Sequence, residues 1–314
     1  MKLVTYRHGR TSRPGALLAS GDILDLRKAL PEQDDEPLWS VAQLLARGPE
    51  ALRDAAALVK EVDADPSSAS ERGWIVSGQS AQLLNPLGQP TMLWTVGMMY
   101  PEHAEEMNVP FPENLNHALR SANAIVGPGE PVVLPRMAPD MVDWEGELAL
   151  VIGAPTYRVS PDEAMDYVAG YTIYNDIGAR DHCQPFIDEI RSGGLSAGMS
   201  GLNLLYKEFP TFSPVGPCVA TADEIDLDSA VLRTTLNGET VQEFKPGHTG
   251  RPIADAVSYM SQVCHMMPGD ILSLGTAEGV GFAKKPPRYM RPGDEITITV
   301  DGIGSLSNPV VADT

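Results

Sequence analysis

Glu145 and Glu147 stand one glycine apart at the head of the apolar run Leu148-Ala149-Leu150-Val151-Ile152. Such a run reads as a strand, whose side chains alternate between faces, so the two carboxylates point the same way. Like charges at the start of a buried strand raise each other's pKa and are costly to desolvate. A divalent cation between them removes the conflict. Asp176 closes a second strand-like run, Tyr171-Thr172-Ile173-Tyr174-Asn175, and offers a third oxygen ligand. An all-oxygen set, with no Cys nearby and no His at ligand spacing, suits a hard cation: Mg²⁺ or Mn²⁺, with Ca²⁺ also compatible. Taken alone, the same residues also fit surface acids on strand edges.

Three further segments carry candidate chemistry. His103 and Glu106 are three residues apart and share a face on a helical turn. A carboxylate beside an imidazole fixes its tautomer and raises its basicity, as a general base needs; an incidental histidine on a solvated turn fits the spacing equally. The segment 207–217 holds one lysine, two phenylalanines and three prolines, a composition that predicts a rigid loop presenting Lys207. Residues 269–281 read as a strand entering a Gly-rich loop whose N–H groups can bind an oxyanion or carboxylate. His8, His117, His182, His248 and His265 read as ordinary surface or core histidines.

The elements that must position these groups are mostly short. Residues 1–27 predict a β-meander, and 40–62 one or two helices from the spacing of Leu44, Leu45, Leu52, Ala55, Leu58 and Val59. A polar break is expected at 63–68. Residues 1–85 form a small N-terminal α+β domain in this reading, and 86–314 the metal-binding catalytic domain. Ser160-Pro161-Asp162-Glu163 predicts a capped helix to about Val168. Residues 231–239 predict a strand entering a type I′ hairpin, 253–264 a helix, and 295–300 a late strand. The fold class is α+β and β-rich, without an alternating βαβ array.

The formal net charge of -19 argues against nucleic acid as a partner, since counterion release needs clustered Lys and Arg. It also means that an anionic substrate needs local positive charge from a metal, Arg or Lys. Cys183, Cys218 and Cys264 are widely spaced and read as free thiols of a reducing cytoplasm. No signal-peptide pattern and no apolar stretch near the ~20 residues of a membrane span is present. A cytoplasmic protein with no membrane partner is expected.

Taken in order, these motifs resemble the fumarylacetoacetate hydrolase family. The matching pieces are Tyr100-x-x-His103-x-x-Glu106, Asp143-Trp144-Glu145-Gly146-Glu147-Leu148, Asn175-Asp176-x-x-Ala179-Arg180-Asp181, Lys207-x-Phe209-x-Thr211-Phe212-x-Pro214-x-Gly216-Pro217, Asn237-Gly238-Glu239 and Gly275-Thr276-x-x-Gly279-Val280-Gly281. Pro292-Gly293-Asp294 and Gly302-Ile303-Gly304-x-Leu306-x-Asn308 complete the set, which covers about residues 90–311.

The resemblance implies a mixed β-sandwich roll with a small N-terminal domain, usually as a homodimer. It implies Mg²⁺ or Mn²⁺ on Glu145, Glu147 and Asp176, with Lys207 and Thr211 near the metal. His103 and Glu106 become the dyad of a lid spanning about residues 100–120. Tyr100, Arg120, Arg180, Gly275 and Thr276 become substrate contacts. The implied activity is metal-dependent hydrolysis of a C–C bond in an acylpyruvate or related β-diketo acid, through a metal-stabilised enolate. His103 would activate water and Lys207 would stabilise the oxyanion. The alternative on the same scaffold is a decarboxylase or isomerase of oxaloacetate or a hydroxymuconate-type acid. The chain departs from the family pattern where substrate would be read. Arg120 replaces a lysine, Cys183 stands where glutamine is usual, Ala277-Glu278 replaces a proline and a small residue, and the stretch from Asp181 to Lys207 is long.

Overall fold

The computed structural model of this chain describes residues 1–30, 38–88, 92–183 and 205–313. It opens with the expected meander, β1 (Lys2–His8), β2 (Thr11–Leu17) and β3 (Ile23–Asp25), and then α1 (Leu26–Ala29). Two helices fill the 40–62 window. Ser40 caps α2 (Val41–Ala46) by accepting from the Gln43 N–H, and Pro49 opens α3 (Pro49–Ala64), where its missing N–H has no intrahelical partner to lose. The expected break at 63–68 is narrower than its composition suggests. α3 runs to Ala64, and α4 (Ser67–Glu71) begins directly after Pro66, which precedes that helix rather than interrupting it.

Next come β4 (Ile75–Val76), β5 (Leu83–Leu84), β6 (Leu93–Gly97), α5 (Pro101–Glu106), β7 (Asn116–Arg120), β8 (Ile125–Val126), β9 (Val132–Leu134), β10 (Val142–Asp143) and β11 (Gly146–Ile152). The Ser160–Glu163 capping box starts α6 (Pro161–Ala164), which passes through a 3-10 turn into β12 (Val168–Asn175). β13 (Gly178–Ala179), β14 (Ser213–Thr221), β15 (Leu232–Leu236), β16 (Glu239–Phe244), α7 (Ile253–Val263), β17 (Ile271–Ser273), β18 (Glu295–Val300) and β19 (Gly304–Ala312) follow. Asn237 and Gly238 both have positive φ, 54° and 80°, as a type I′ turn requires. The loop expected over 207–217 is only half loop, because β14 begins at Ser213. Pro210 precedes the strand, and Pro217 falls in a break of the β12–β14 register just after Gly216, where a missing donor interrupts no ladder bond.

One large mixed sheet has the order β4-β3-β2-β1-β14-β12-β11-β17-β6-β7, and a five-stranded sheet has the order β16-β15-β18-β19-β9. β1 pairs with β14, so the N-terminal meander continues the large sheet. β7, the end of the segment 100–120, is an edge strand of that sheet. β11 is buried along its whole length. On one side, Ala149 and Val151 pack with Leu24, Leu44, Leu45 and Val59 of the N-terminal segment. On the other, Leu148, Leu150 and Ile152 pack with Leu232, Ile298 and Leu306 of the five-stranded sheet and Met260 of α7. A strand covered on both faces has no solvent side, which is why the run after Glu147 is continuously apolar. No helix among the described residues is long and apolar enough to cross a membrane, and Cys183, Cys218 and Cys264 are free thiols.

The glycine between the two glutamates has a packing cause. A Cβ at Gly146 would collide with the Thr234 hydroxyl and press on Gln242 and Leu232, because β15 and β16 cross β11 at that point. Gly146→Ala is therefore expected to destabilise the fold by about 1–3 kcal/mol, the usual cost of overpacking. A urea denaturation midpoint unchanged from the parent would contradict this close approach.

Candidate metal centre

β11 and β12 run antiparallel, with Gly146 opposite Asn175 and Glu147 opposite Tyr174. That register sets the head of β11 beside the end of β12. The Asp176 N–H donates to the Glu145 carbonyl at 3.0 Å, and the Glu145 N–H to Asn175 Oδ1 at 3.1 Å. Glu145, Glu147 and Asp176 are thereby brought together, all buried, with one carboxylate oxygen from each within 4.8 Å of the others.

Three cations surround them. Lys207 Nζ donates to Glu145 Oε2 and Asp176 Oδ2, both at 2.6 Å. Arg120 grips Asp176 with Nε at 2.8 Å and Nη2 at 3.1 Å. Arg180 donates from Nη2 to Glu145 at 2.6 Å and from Nε to Asp143 at 3.0 Å. Burial raises the carboxyl pKa of Asp176, but Arg120 and Lys207 outweigh it and hold the group below the usual carboxylate range. For Glu145, burial is likewise outweighed by Lys207 and Arg180. Glu147 differs. It accepts from the Ser273 hydroxyl and makes no ion pair among the described residues. Burial, then Asp176 and Glu145, push its carboxyl well up.

A divalent cation fits this set. The linked carboxylates are Asp143, Glu145, Glu147, Asp176 and Glu208, and the linked cations are Arg120, Arg180 and Lys207. Five acids against three bases leave two negative charges, which one divalent cation cancels. The group that lacks a cation of its own, Glu147, faces the other two candidate ligands. All three offer oxygen only, the donor set of a hard cation.

The His103–Glu106 pair lies on α5, with His103 Nδ1 3.3 Å from Glu106 Oε2. Glu106 is held from behind by the Gly279 N–H, which donates to its other oxygen at 2.8 Å. The tautomer with a proton on Nδ1 donates to Glu106 and leaves Nε2 as the base. His103 is buried and lies near enough to Glu145 to act on that carboxyl.

Other expected site residues are placed as follows. Arg180 lies within its two ion pairs. The Tyr100 hydroxyl donates to the Pro246 carbonyl at 2.9 Å. The Thr276 hydroxyl donates to the Gly146 carbonyl and accepts from Gln242 Nε2, each at 2.9 Å, so it braces the strand between the glutamates. Gly275 takes a positive φ of 76°, and a Cβ there would collide with the Val96 carbonyl oxygen. Thr211 accepts from the Val133 N–H of β9 at 2.8 Å. N–H groups at the end of the Gly-rich loop serve the protein's own acids. Gly281 and Phe282 donate to Asp143, and Gly279 to Glu106. A buried carboxylate demands donors, and the loop supplies them. Most of the long stretch from Asp181 to Lys207, residues 184–204, lies outside the described residues.

Several members of the centre carried little signal. Asp143 sits inside the Asp-Trp-Glu-Gly-Glu run, but its role as anchor for Arg180 depends on the fold. Gln242 looks like an ordinary strand residue, yet it accepts from the Gly146 N–H at 3.0 Å while donating to Thr276. Ser273 is the one polar residue of β17, and Tyr174, which donates to Asp176 at 2.6 Å, is one of two tyrosines in β12.

The raised pKa of Glu147 has a definite sign. Folded Glu147 keeps its proton to higher pH than the unfolded chain does. The metal-free fold is therefore expected to lose stability as pH rises from the unfolded carboxyl range into the raised Glu147 range. Divalent cation takes the place of that proton, so Mn²⁺ binding is expected to weaken as pH falls through the same range. Thermal midpoints across pH, with and without Mn²⁺, test both slopes. Glu147→Gln should flatten the metal-free slope and abolish the Mn²⁺-induced rise; a rise retained in that variant would contradict the ligand assignment.

Residues 92–311 match the family described as fumarylacetoacetate (FAA) hydrolase C-terminal. Over 315 residues, 99% of this chain and 90% of the relative, the sequence is 31% identical to a mitochondrial oxaloacetate tautomerase of Xenopus laevis. Among solved structures, a 5-carboxymethyl-2-hydroxymuconate delta-isomerase from Mycobacterium smegmatis superposes with a TM-score of 0.70 at 28% identity, covering 100% of both chains. The fumarylacetoacetate hydrolase of Exiguobacterium antarcticum superposes with a TM-score of 0.75 at 25% identity, again covering 100% of both chains. With a family match over most of its length and a relative aligned over nearly all of it, this chain belongs to the fumarylacetoacetate hydrolase family.

Proposed function

We propose that this chain is a divalent-metal-dependent enzyme for a small 2-oxo acid, and that it moves a proton at the carbon beside the 2-oxo group, as in keto–enol tautomerisation of oxaloacetate. The observation that carries this reading is an anchored His103–Glu106 pair, its imidazole buried and near enough to Glu145 to act on that carboxyl, beside the clustered Glu145, Glu147 and Asp176 carboxylates. The oxaloacetate tautomerase aligned over 99% of the chain supports the same choice. Residues 86–314 carry the chemistry in this reading, and 1–85 buttress β11 from behind.

A cation held by Glu145, Glu147 and Asp176, Mg²⁺ or Mn²⁺, would supply fixed positive charge and Lewis acidity for the substrate's carboxylate and 2-oxo oxygens. His103 Nε2 takes the proton from C3, and Glu106 stabilises the imidazolium that results. The C3–H electron pair becomes the C2–C3 double bond, and the proton returns to the 2-oxygen. Proton and electron count balance within the substrate, with no co-reactant. Lys207, Arg120 and Arg180 hold the carboxylates in place, which keeps the centre from rearranging as charge shifts.

Hydrolysis of an acylpyruvate is the second reading, favoured by the same dyad, since an imidazole able to take a C–H proton can also take one from water. Decarboxylation of oxaloacetate is the third. Oxaloacetate with Mg²⁺ or Mn²⁺ in D₂O separates them. Rapid C3 deuteration and enol–keto interconversion without pyruvate is the expected result. Pyruvate release would favour decarboxylation, and cleavage of acylpyruvates hydrolysis. His103→Ala is expected to cost roughly 10²–10⁴-fold in the proton-transfer rate. An unchanged rate in that variant would remove His103 from the mechanism.

A further inference from the structure

Arg120 has one hand free. Its Nε and Nη2 hold Asp176, while Nη1 is buried without a hydrogen-bond partner among the described residues. Glu208 Oε1 lies 3.8 Å from it, also buried and without a hydrogen-bond partner among the described residues. Unpaired polar atoms in a buried site are costly, and two of opposite charge lie just beyond hydrogen-bond reach. Glu208 is fixed in that position. Its other oxygen accepts from the N–H of Ser121, the residue after Arg120, at 2.7 Å. It also directly follows Lys207 in the chain, so one turn carries both the lysine that holds Asp176 and the carboxylate that faces Arg120.

Asp176 is meanwhile fully occupied. Its Oδ1 accepts from Arg120 Nε and the Tyr174 hydroxyl, and its Oδ2 from Arg120 Nη2 and Lys207 Nζ. A cation that takes an Asp176 oxygen must displace or share one of these donors. Tyr174 and Lys207 each make one bond to Asp176, on Oδ1 and Oδ2 respectively, whereas Arg120 is bidentate and must turn as a unit. Turning costs least where an acceptor waits, and the waiting acceptor is Glu208.

We propose that Glu208 is a positioning residue for the metal centre: it is the second acceptor of Arg120, and its charge lets the guanidinium yield Asp176 to an incoming divalent cation. This inference rests on the reading that Glu145, Glu147 and Asp176 hold a metal. Glu208 never touches the cation or the substrate. Its effect travels through Arg120 and appears as metal affinity.

The test is Mn²⁺ affinity of the full chain, measured by the electron paramagnetic resonance signal of free Mn²⁺, together with the thermal midpoint of the metal-free protein. Glu208→Gln keeps an acceptor for the Ser121 N–H and removes the charge. It is expected to weaken Mn²⁺ binding about 10–100-fold, as loss of a residue behind a metal ligand does, and to leave the metal-free midpoint unchanged. In an Arg120→Gln background the same substitution is expected to have no further effect. If Glu208→Gln fails to fold, Glu208→Asp withdraws the charge by one methylene and should show the same loss, smaller in size. Equal Mn²⁺ affinity in parent and variant would overturn the proposal. So would an equal loss in both backgrounds, because the effect would then bypass Arg120. A parent protein that binds no Mn²⁺ would overturn the metal reading itself, a different result from parent binding that Glu208→Gln leaves unchanged.

Discussion

The structure turns on a local excess of buried negative charge. Carboxylate oxygens of Glu145, Glu147 and Asp176 lie within 4.8 Å of one another where the head of β11, a strand covered on both faces, meets the end of β12. Carboxylates in such a place are expensive unless they are neutralised. Lys207, Arg120 and Arg180 neutralise Glu145 and Asp176, and Asp143 completes the Arg180 pair. Glu147 is left over. The arrangement therefore has the charge of a site prepared for a divalent cation, and each cationic side chain is oriented by the carboxylates it serves.

That charge explains features that otherwise look unrelated. The Gly-rich loop and the residue after it turn three N–H groups onto Asp143 and Glu106, and fully buried Asp143 has no solvent to supply donors in their place. Thr276 and Gln242 clamp the backbone of Gly146, fixing the strand from which both glutamates project. The five-stranded sheet comes so close there that no side chain fits between the two carboxylates. Packing and charge thus specify the Glu-Gly-Glu spacing together. One supplies the close approach, and the other supplies the reason to place two acids at its edge.

The alternation of β11 and the polar ends of β11 and β12 made the carboxylate trio legible in the sequence, because strand geometry alone puts Glu145 and Glu147 on one side. The capping box at Ser160, the turn at Asn237-Gly238 and the helix over Ile253–Val263 were legible for the same reason: each is a local rule with local residues. Long-range partners were not. Arg120 and Asp176 are 56 positions apart, and Asp143 and Gly281 are 138 apart. Nothing in either segment announces the other. The prolines of 207–217 suggested a loop because proline lacks a donor, yet β14 holds two of them, Pro217 at a break in the β12–β14 register.

The account stands or falls on where a divalent cation binds. A crystal structure of the chain grown with Mn²⁺, read by anomalous scattering at the manganese edge, addresses it directly. The account predicts one strong peak per chain, coordinated by oxygens of Glu145, Glu147 and Asp176. No peak there, with Lys207 still bridging Glu145 and Asp176 and Glu147 unchanged, would contradict it.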